Sequence, residues 1–275
     1  MIIKDTGGPL FRTEQGSHYY YPDGRPCYSV PNKSQTGQER KTTLSDARKL
    51  GLLPSVTTIQ RMLDKPALND WRCEMAVIAA LTLPRNEGED VDAFAKRIAK
   101  DADTIRDAAA DTGKLIHKAI EIYCTNLIEG GGEMPDPEAI TWPFMVHFNV
   151  WFRENILRVI SAEEVVVKTG NNGYAGTRDL LAIHKTHGLS VIDFKTQKFK
   201  GGKPKFYDEW VVQIGAYDVA ETRPAEALVS LAINSSEPMP VVEKLWSEEE
   251  RAEASRIWGA MVPLWYALKG ISPEK

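Results

Sequence analysis

"VIDFKT", residues 191–196, interrupts a strand-forming run of Val191, Ile192 and Phe194 with Asp193 and Lys195, two residue types that a buried strand usually excludes. Side chains alternate faces along a strand, so Asp193 and Lys195 project to the same side. The run "YAGTRDLLAIH" (174–184) is separated from "LSVIDFKTQ" (189–197) by the turn signal "KTHG", and a short hairpin of this kind brings Asp179 beside Asp193. Two carboxylates that close repel unless one is protonated or a cation lies between them. Hard oxygen ligands with room for water suit Mg²⁺ or Mn²⁺. A lysine next to such a cation can hold a water or a phosphate oxygen, an arrangement suited to metal-assisted phosphodiester hydrolysis. The plain alternative for the D-x-K triplet alone is a surface salt bridge between Asp193 and Lys195.

Outward from this hairpin, "EEVVVK" (163–168) is a third β-favouring run, set off from the second by "TGNNG", and the three read as an antiparallel meander. The helical period gives way to a strand-like one after Ser161. A helix over 208–221, a strand "ALVSLAI" (227–233) and a terminal helix over 247–269 complete an α/β domain. Upstream, "LLPSVTTI" offers cap chemistry at Ser55 or Thr57 ahead of a helical stretch over 58–81. Apolar residues at 94, 98, 105, 109, 116, 120, 123 and 127 predict further helix, stopped by the glycines at 130–132, and 142–157 is helical by pattern. Residues 1–53 read as a small β-rich and loop appendage around the turn signal "PDGRP". The expected organisation is thus an appendage at 1–53, a helical region at 54–160 and an α/β core at 161–275.

A chain of 275 residues, 43% of them apolar, can bury a sizeable core, and no Pro/Gly/Ser-rich linker or repeat period divides it. The longest apolar runs, such as "AVIAALTL" (76–83), fall far short of a membrane span, and "MIIKDTGGPL" holds no apolar signal region. A cytoplasmic protein with no membrane partner is expected. Cys27, Cys73 and Cys124 lie far apart without a CxxC pair, so neither a disulfide framework nor a zinc or iron–sulfur quartet can be assembled within one chain. A net charge of −4 argues against nonspecific coating of nucleic acid and leaves room for a local basic groove.

Five stretches, "GKLIHKAIE" (113–121), "EVVV" (164–167), "YAGTRD" (174–179), "VIDFKT" (191–196) and "VVQIGAY" (211–217), together and in this order resemble the PD-(D/E)xK nuclease superfamily. The likeness is to its RecB-like exonuclease branch and most of all to the mitochondrial genome maintenance exonuclease type. "PSVTTI" (54–59) and Trp71 also resemble that branch's N-terminal helical region. The likeness spans residues 54–265, and residues 1–53 have no counterpart in it.

The resemblance implies an α/β fold with a restriction-endonuclease-like core, a mixed central sheet flanked by helices, and a helical N-terminal region. It implies that Asp179 and Asp193 ligate the metal, with the Phe194 carbonyl as a further ligand. Lys195 would position or activate the attacking water and stabilise charge developing on phosphorus. His117 matches a histidine that supplies a nitrogen ligand from a helix, and Gly113, one turn earlier, would leave room for metal or substrate. Glu164 matches the acidic residue that opens the strand before "YAGTRD" and would assist a second metal or orient a ligand. Its neighbour Glu163 is read as solvated, and Glu121 lies one turn beyond His117. Gln213 and Tyr217, at i and i+4, would share a helix face directed at the site: Gln213 orients Lys195 or the water, and Tyr217 reaches a phosphate or packs under a base. The ordinary alternatives are a core histidine at 117 and an interior tyrosine at 217. Members of the family with an iron–sulfur cluster need four cysteines, so no cluster is expected here.

"KTQKFKGGKPK" places Lys195, Lys198, Lys200, Lys203 and Lys205 after the D-x-K strand, where a Gly-Gly loop can follow a phosphate backbone or simply lie in solvent. Lys65, Trp71 and Arg72 would add charge and a stacking surface, with Trp71 equally suited to a core. By resemblance, the helices before the meander form an arch over the site that admits a single strand and hinders a duplex. The expected function is a Mg²⁺- or Mn²⁺-dependent DNA exonuclease acting on ends of single-stranded DNA in recombination, repair or phage DNA metabolism, releasing a 3′-hydroxyl and a 5′-phosphate. The alternatives are a flap or junction endonuclease of the same superfamily and a nucleic-acid-binding module without catalysis. Asp179, Asp193 and Lys195 together speak against the last, since a module freed from chemistry has no need of carboxylates that repel phosphate.

Overall fold

The computed structural model of the chain describes residues 17–32, 37–63, 66–131, 133–199 and 201–271, with the backbone alone at 66–68, 72 and 101–111. The chain opens with three short strands, β1 (Tyr19–Tyr20), β2 (Ser29–Pro31) and β3 (Glu39–Lys41), then α1 (Leu44–Leu50), β4 (Leu53–Pro54) and α2 (Val56–Gln60). Three longer helices follow: α3 (Pro66–Thr82), α4 (Val91–Ile128) and α5 (Trp142–Asn155). The remainder is β5 (Ile156–Lys168), β6 (Tyr174–His184), β7 (Gly188–Gln197), α6 (Asp208–Ala220), β8 (Ala227–Asn234), β9 (Val242–Leu245) and α7 (Glu248–Lys269).

The last five strands form one mixed sheet in the order β5-β6-β7-β8-β9. The meander β5, β6 and β7 is antiparallel, α6 carries the chain across to β8 parallel to β7, and β9 returns antiparallel. Helices cover both faces. Val191 packs with Trp210, Val211 and Ile214 of α6 and Trp258 of α7, whereas Ile192 and Phe194 pack with Ile116 and Ile120 of α4 and Met145 and Phe148 of α5. That division is the strand alternation of β7 written out in three dimensions. Every residue of β8 is buried, as expected for a strand paired on both sides between two helical layers.

The expected mixed α/β class therefore holds, with differences in detail. The helix expected over 58–81 is two helices: α2 stops at Gln60, and Pro66, whose fixed φ suits a first helical turn, starts α3. β5 begins at Ile156, ahead of the expected change of period, because register irregularities at 156–158 and 159–161 blur its alternation. Residues 17–53 are not a separate appendage. Tyr19, Cys27, Leu44, Ala47 and Leu52 bury in the same cluster as Trp210 and Trp258, and Ser55 bridges to Ala175 of β6. Strands of two or three residues cannot hold a core of their own and gain stability only by docking on a larger one.

The long α4 sets the shape around the site. Its 38 residues span about 57 Å, and its contribution to the sheet core comes from its C-terminal part, through Ile116, Ile120, Tyr123 and Cys124. Asp90 caps its start by accepting the Ala93 N–H at 2.7 Å, and α3 packs against it. Among the described residues no helix is long and apolar enough to cross a membrane.

Candidate active site

The pairs Ala162–Leu180 and Glu164–Arg178 place Glu163 opposite Asp179 across β5 and β6. The β6–β7 pairing runs as far as Leu180–Ile192, and one step further in the same register Asp179 faces Asp193. Glu163, Asp179 and Asp193 thus form one rung across three adjacent strands. At that rung the backbone ladder between β6 and β7 gives way to a side chain: Asp179 Oδ2 accepts the Phe194 N–H at 2.8 Å. Phe194 keeps its ring in the core beneath α5, 5.7 Å edge-on from Phe148.

Charge crowds this rung. Asp193 is 1% exposed, and neither carboxylate oxygen has a hydrogen-bond donor of regular geometry, although Lys195 Nζ lies 2.5 Å from Oδ2. The contact with Lys195 is thus an ion pair rather than an aligned hydrogen bond. Burial, and then the charge of Asp179, push the Asp193 carboxyl up to about 6, against the pull of Lys195. Burial likewise raises Asp179, opposed by Lys195 and by the Phe194 N–H. Glu163, exposed on β5, is pushed up to about 7 by partial desolvation and by the charges of Asp179 and Glu121. Buried acceptors without donors and carboxylates held at a cost in ionisation describe a site short of positive charge.

The helices meet the rung from both sides. His117 of α4 stands with Nδ1 4.0 Å from Asp179 Oδ2, and burial, then Lys195, lower its pKa, which keeps the imidazole neutral and its lone pair available. A Cβ at Gly113 would collide with Thr196 Oγ1, so glycine there lets α4 close on β7. From α6, Tyr217 is 3% exposed and packs on Gly176, whose missing Cβ would lie 2.6 Å from the ring. Gln213 Nε2 donates to the Tyr217 hydroxyl at 3.0 Å, so its observed partner is Tyr217 and not Lys195. Burial, and after it the charge of Asp193, raise the Tyr217 hydroxyl.

Gly113, Lys114, His117, Lys118, Glu121, Glu163, Asp179 and Thr196 line an open cleft of about 780 Å³ over the rung. Four of these, Glu163, Lys114, Lys118 and Thr196, have no role in the sequence reading. Glu164, which has one, turns elsewhere: it meets Arg178 Nη2 at 2.5 Å and accepts from Ser161 Oγ at 2.5 Å. The cause lies in the backbone. Glu163 adopts φ +48°, a left-handed conformation rare outside glycine and asparagine, at the rung where the Glu163–Asp179 pair is missing from the ladder. Such strain costs about 1–3 kcal/mol and is found where function demands it.

The two glutamates predict opposite phenotypes. Glu163→Gln should lower activity about 10–100-fold and leave the metal-free melting temperature unchanged or slightly higher. Glu164→Ala should cost about 1–3 kcal/mol by leaving the buried Arg178 short of a partner, while activity below the melting transition survives. Steady-state rates and thermal melts of both variants decide it, and the reverse pattern would return Glu164 to the site.

The DNA-contact candidates are spread out. Lys198, Lys203 and Lys205 are exposed on the β7–α6 connection, and Lys200, like Lys65, lies outside the described residues. This loop is pinned rather than free at its two ends, since Gln197 bonds both the N–H and the carbonyl of Lys205 at 3.2 and 2.9 Å. Trp71 is half-buried on α3 and belongs to neither core cluster; Arg72 lies beside it on the same helix.

Among the described residues, the group whose potential ligand atoms all fall within 4.8 Å is a different one: His184, His187 and Glu243. Its chemistry opposes a cation. His184 Nδ1 accepts the N–H groups of Thr186 and His187 at 3.1 and 3.2 Å, so the neutral ring carries its proton on Nε2, facing Glu243 Oε2 at 3.5 Å. The two imidazoles stack at 4.4 Å and 19°, which would put a shared ion off both ring planes. Trp151 Nε1 completes the cluster by donating to Glu243 Oε2 at 2.7 Å, and the group reads as a polar tie among β6, β9 and α5.

No family model matches the sequence, and no curated protein matches it.

Proposed function

We propose that this chain is a Mg²⁺- or Mn²⁺-dependent deoxyribonuclease that degrades single-stranded DNA from an end, built on a restriction-endonuclease-like core. One observation carries the proposal: Glu163, Asp179 and Asp193 share a rung, with Lys195 against Asp193 and His117 above. The donor set fits a hard divalent cation, because Asp193 Oδ1 is buried without a partner, Oδ2 meets the Lys195 ammonium, and burial raises both the Asp179 and Asp193 carboxyls. Asp179, Asp193 and Glu163 would hold it, with His117 and the Phe194 carbonyl as further ligands. When bound, the cation supplies Lewis-acid polarisation of the phosphate and lowers the pKa of water.

The remaining steps belong to the chain's own groups. Lys195, about one-fifth exposed, can swing from Asp193 toward the scissile phosphate, hold the attacking water and stabilise the charge that develops on the phosphate oxygens. His117, kept neutral by burial, avoids repelling the cation and adds a nitrogen donor. Lys114 and Lys118, on the same wall of the cleft, set positive charge where a phosphate backbone would enter. Tyr217 braces the β6 side of the rung through its packing on Gly176.

End-labelled linear single strands, duplexes and flaps incubated with Mg²⁺ or with EDTA test the class of activity. Cation-dependent shortening of the single strand is expected, and no cleavage of any substrate would overturn the proposal. In the same assay His117→Ala should lose less activity than Asp193→Asn, because water can replace a neutral nitrogen ligand, and Mn²⁺ should restore part of it. Full activity of His117→Ala at low Mg²⁺ would return His117 to a packing role.

A further inference from the structure

We infer that Tyr28, immediately before β2, is a stacking platform for a nucleobase of the strand held at the carboxylate rung, which makes the N-terminal segment a wall of the substrate site. The inference rests on the reading of that rung as a phosphodiesterase site.

Tyr28 is 45% exposed, yet its ring is held firmly. Its hydroxyl meets the Tyr20 hydroxyl at 2.7 Å, Tyr20 stands edge-on at 5.7 Å and 86°, and the His18 ring lies 4.8 Å away at 40°. Its carbonyl accepts the Thr42 N–H at 3.0 Å, which ties down the backbone. Tyr20, 3% exposed, passes the connection to the sheet: its hydroxyl lies 3.1 Å from Thr177 Oγ1.

Thr177 is two residues before Asp179 on β6, about 7 Å along the strand. Thr177 pairs with Val165 just as Asp179 faces Glu163. The hydroxyl chain from Tyr28 through Tyr20 therefore ends two residues from Asp179 on the same strand. The charge of Glu163 is felt at the Tyr28 hydroxyl, which agrees with that proximity.

A half-exposed aromatic ring fixed by two neighbours loses little entropy on binding. An aromatic face beside a site that grips phosphate is the means by which single strands are held without sequence preference.

The test compares wild type, Tyr28→Ala, Tyr28→Phe and Tyr28→Trp on labelled single strands, by steady-state kinetics and by fluorescence anisotropy in the Asp193→Asn background. Tyr28→Ala should raise KM and weaken binding about tenfold, the loss of one stacked base, with a smaller effect on kcat. Tyr28→Phe and Tyr28→Trp should bind near the wild-type level. A strand carrying an abasic nucleotide at the stacked position should erase the difference between wild type and Tyr28→Ala. Unchanged binding in Tyr28→Ala overturns the inference, and so does a Tyr28→Phe defect as large as that of Tyr28→Ala, which would assign the effect to the hydroxyl. A wild type that binds strands without cleaving them would sink the phosphodiesterase reading alone, since the anisotropy series still decides Tyr28.

Discussion

Asp193→Asn is expected to lower strand cleavage by about 10²–10³-fold or more, while DNA binding stays intact or tightens. Asp193 is buried, with Oδ2 2.5 Å from Lys195 Nζ and Oδ1 without a partner, one register step beyond the Leu180–Ile192 pair and thus opposite Asp179. Asparagine keeps the shape and removes the charge. A cation at the rung would lose a buried anionic ligand, and an incoming phosphate would lose a source of repulsion, so chemistry and binding should separate. Gel-resolved cleavage rates and a binding isotherm on the same labelled strand measure both. Activity within a few fold of wild type would remove the metal assignment from this rung.

The second large effect concerns the substrate: linear single strands should be consumed from an end, and covalently closed single-stranded circles should survive the same treatment. Gly113, Lys114, His117, Lys118 and Glu121 all look into the cleft from α4, so this helix forms its wall above the carboxylates. The helix then continues well beyond the sheet with α3 alongside it. If α3 and α4 close over a bound strand, that strand would have to be threaded, with base-paired DNA excluded by shape. Exposed Lys198, Lys203 and Lys205 on the β7–α6 connection would add backbone contacts, so the rate should fall with added salt. Circles cut at a rate comparable to linear strands would mean that strands enter the cleft from the side and would move the assignment to an endonuclease.

What could be read in the sequence was whatever obeys a period. β7 alternates cleanly, so the shared face of Asp193 and Lys195 followed from spacing alone, and the apolar positions of α4 placed His117 on a long helix. The strand, helix and strand expected at 189–197, 208–221 and 227–233 likewise follow from composition, whereas the parallel pairing of β8 with β7 does not. Other features carry no periodic signal. A non-glycine residue at positive φ leaves no mark in composition, so the choice between Glu163 and Glu164 was hidden until the backbone was known. Gly113 was legible as a close approach but not as an approach to Thr196, because its partner lies far along the chain. β1, β2, β3 and β4 are too short to show alternation, and nothing local reveals that Tyr19 and Cys27 share a core with Trp258. The tie of His184, His187 and Glu243 depends on tertiary contacts in the same way.

The claim at the centre of this account is that the rung of Glu163, Asp179 and Asp193 is a cation site, and thermal melts of wild type and Asp193→Asn, each in EDTA and in excess Mn²⁺, test it most directly. Folding raises the Asp193 carboxyl from 3.8 to about 6, so its ionised form destabilises the metal-free fold. That cost is absent below pH 3.8, grows as pH rises through the interval and is complete above about 6. In EDTA at neutral pH, Asp193→Asn should therefore melt higher than wild type. In Mn²⁺ the order should narrow or reverse, because wild type gains about 2.7 kcal/mol at a hundredfold excess over Kd and the variant gains little. An equal gain in both proteins, or none in wild type, would contradict the account.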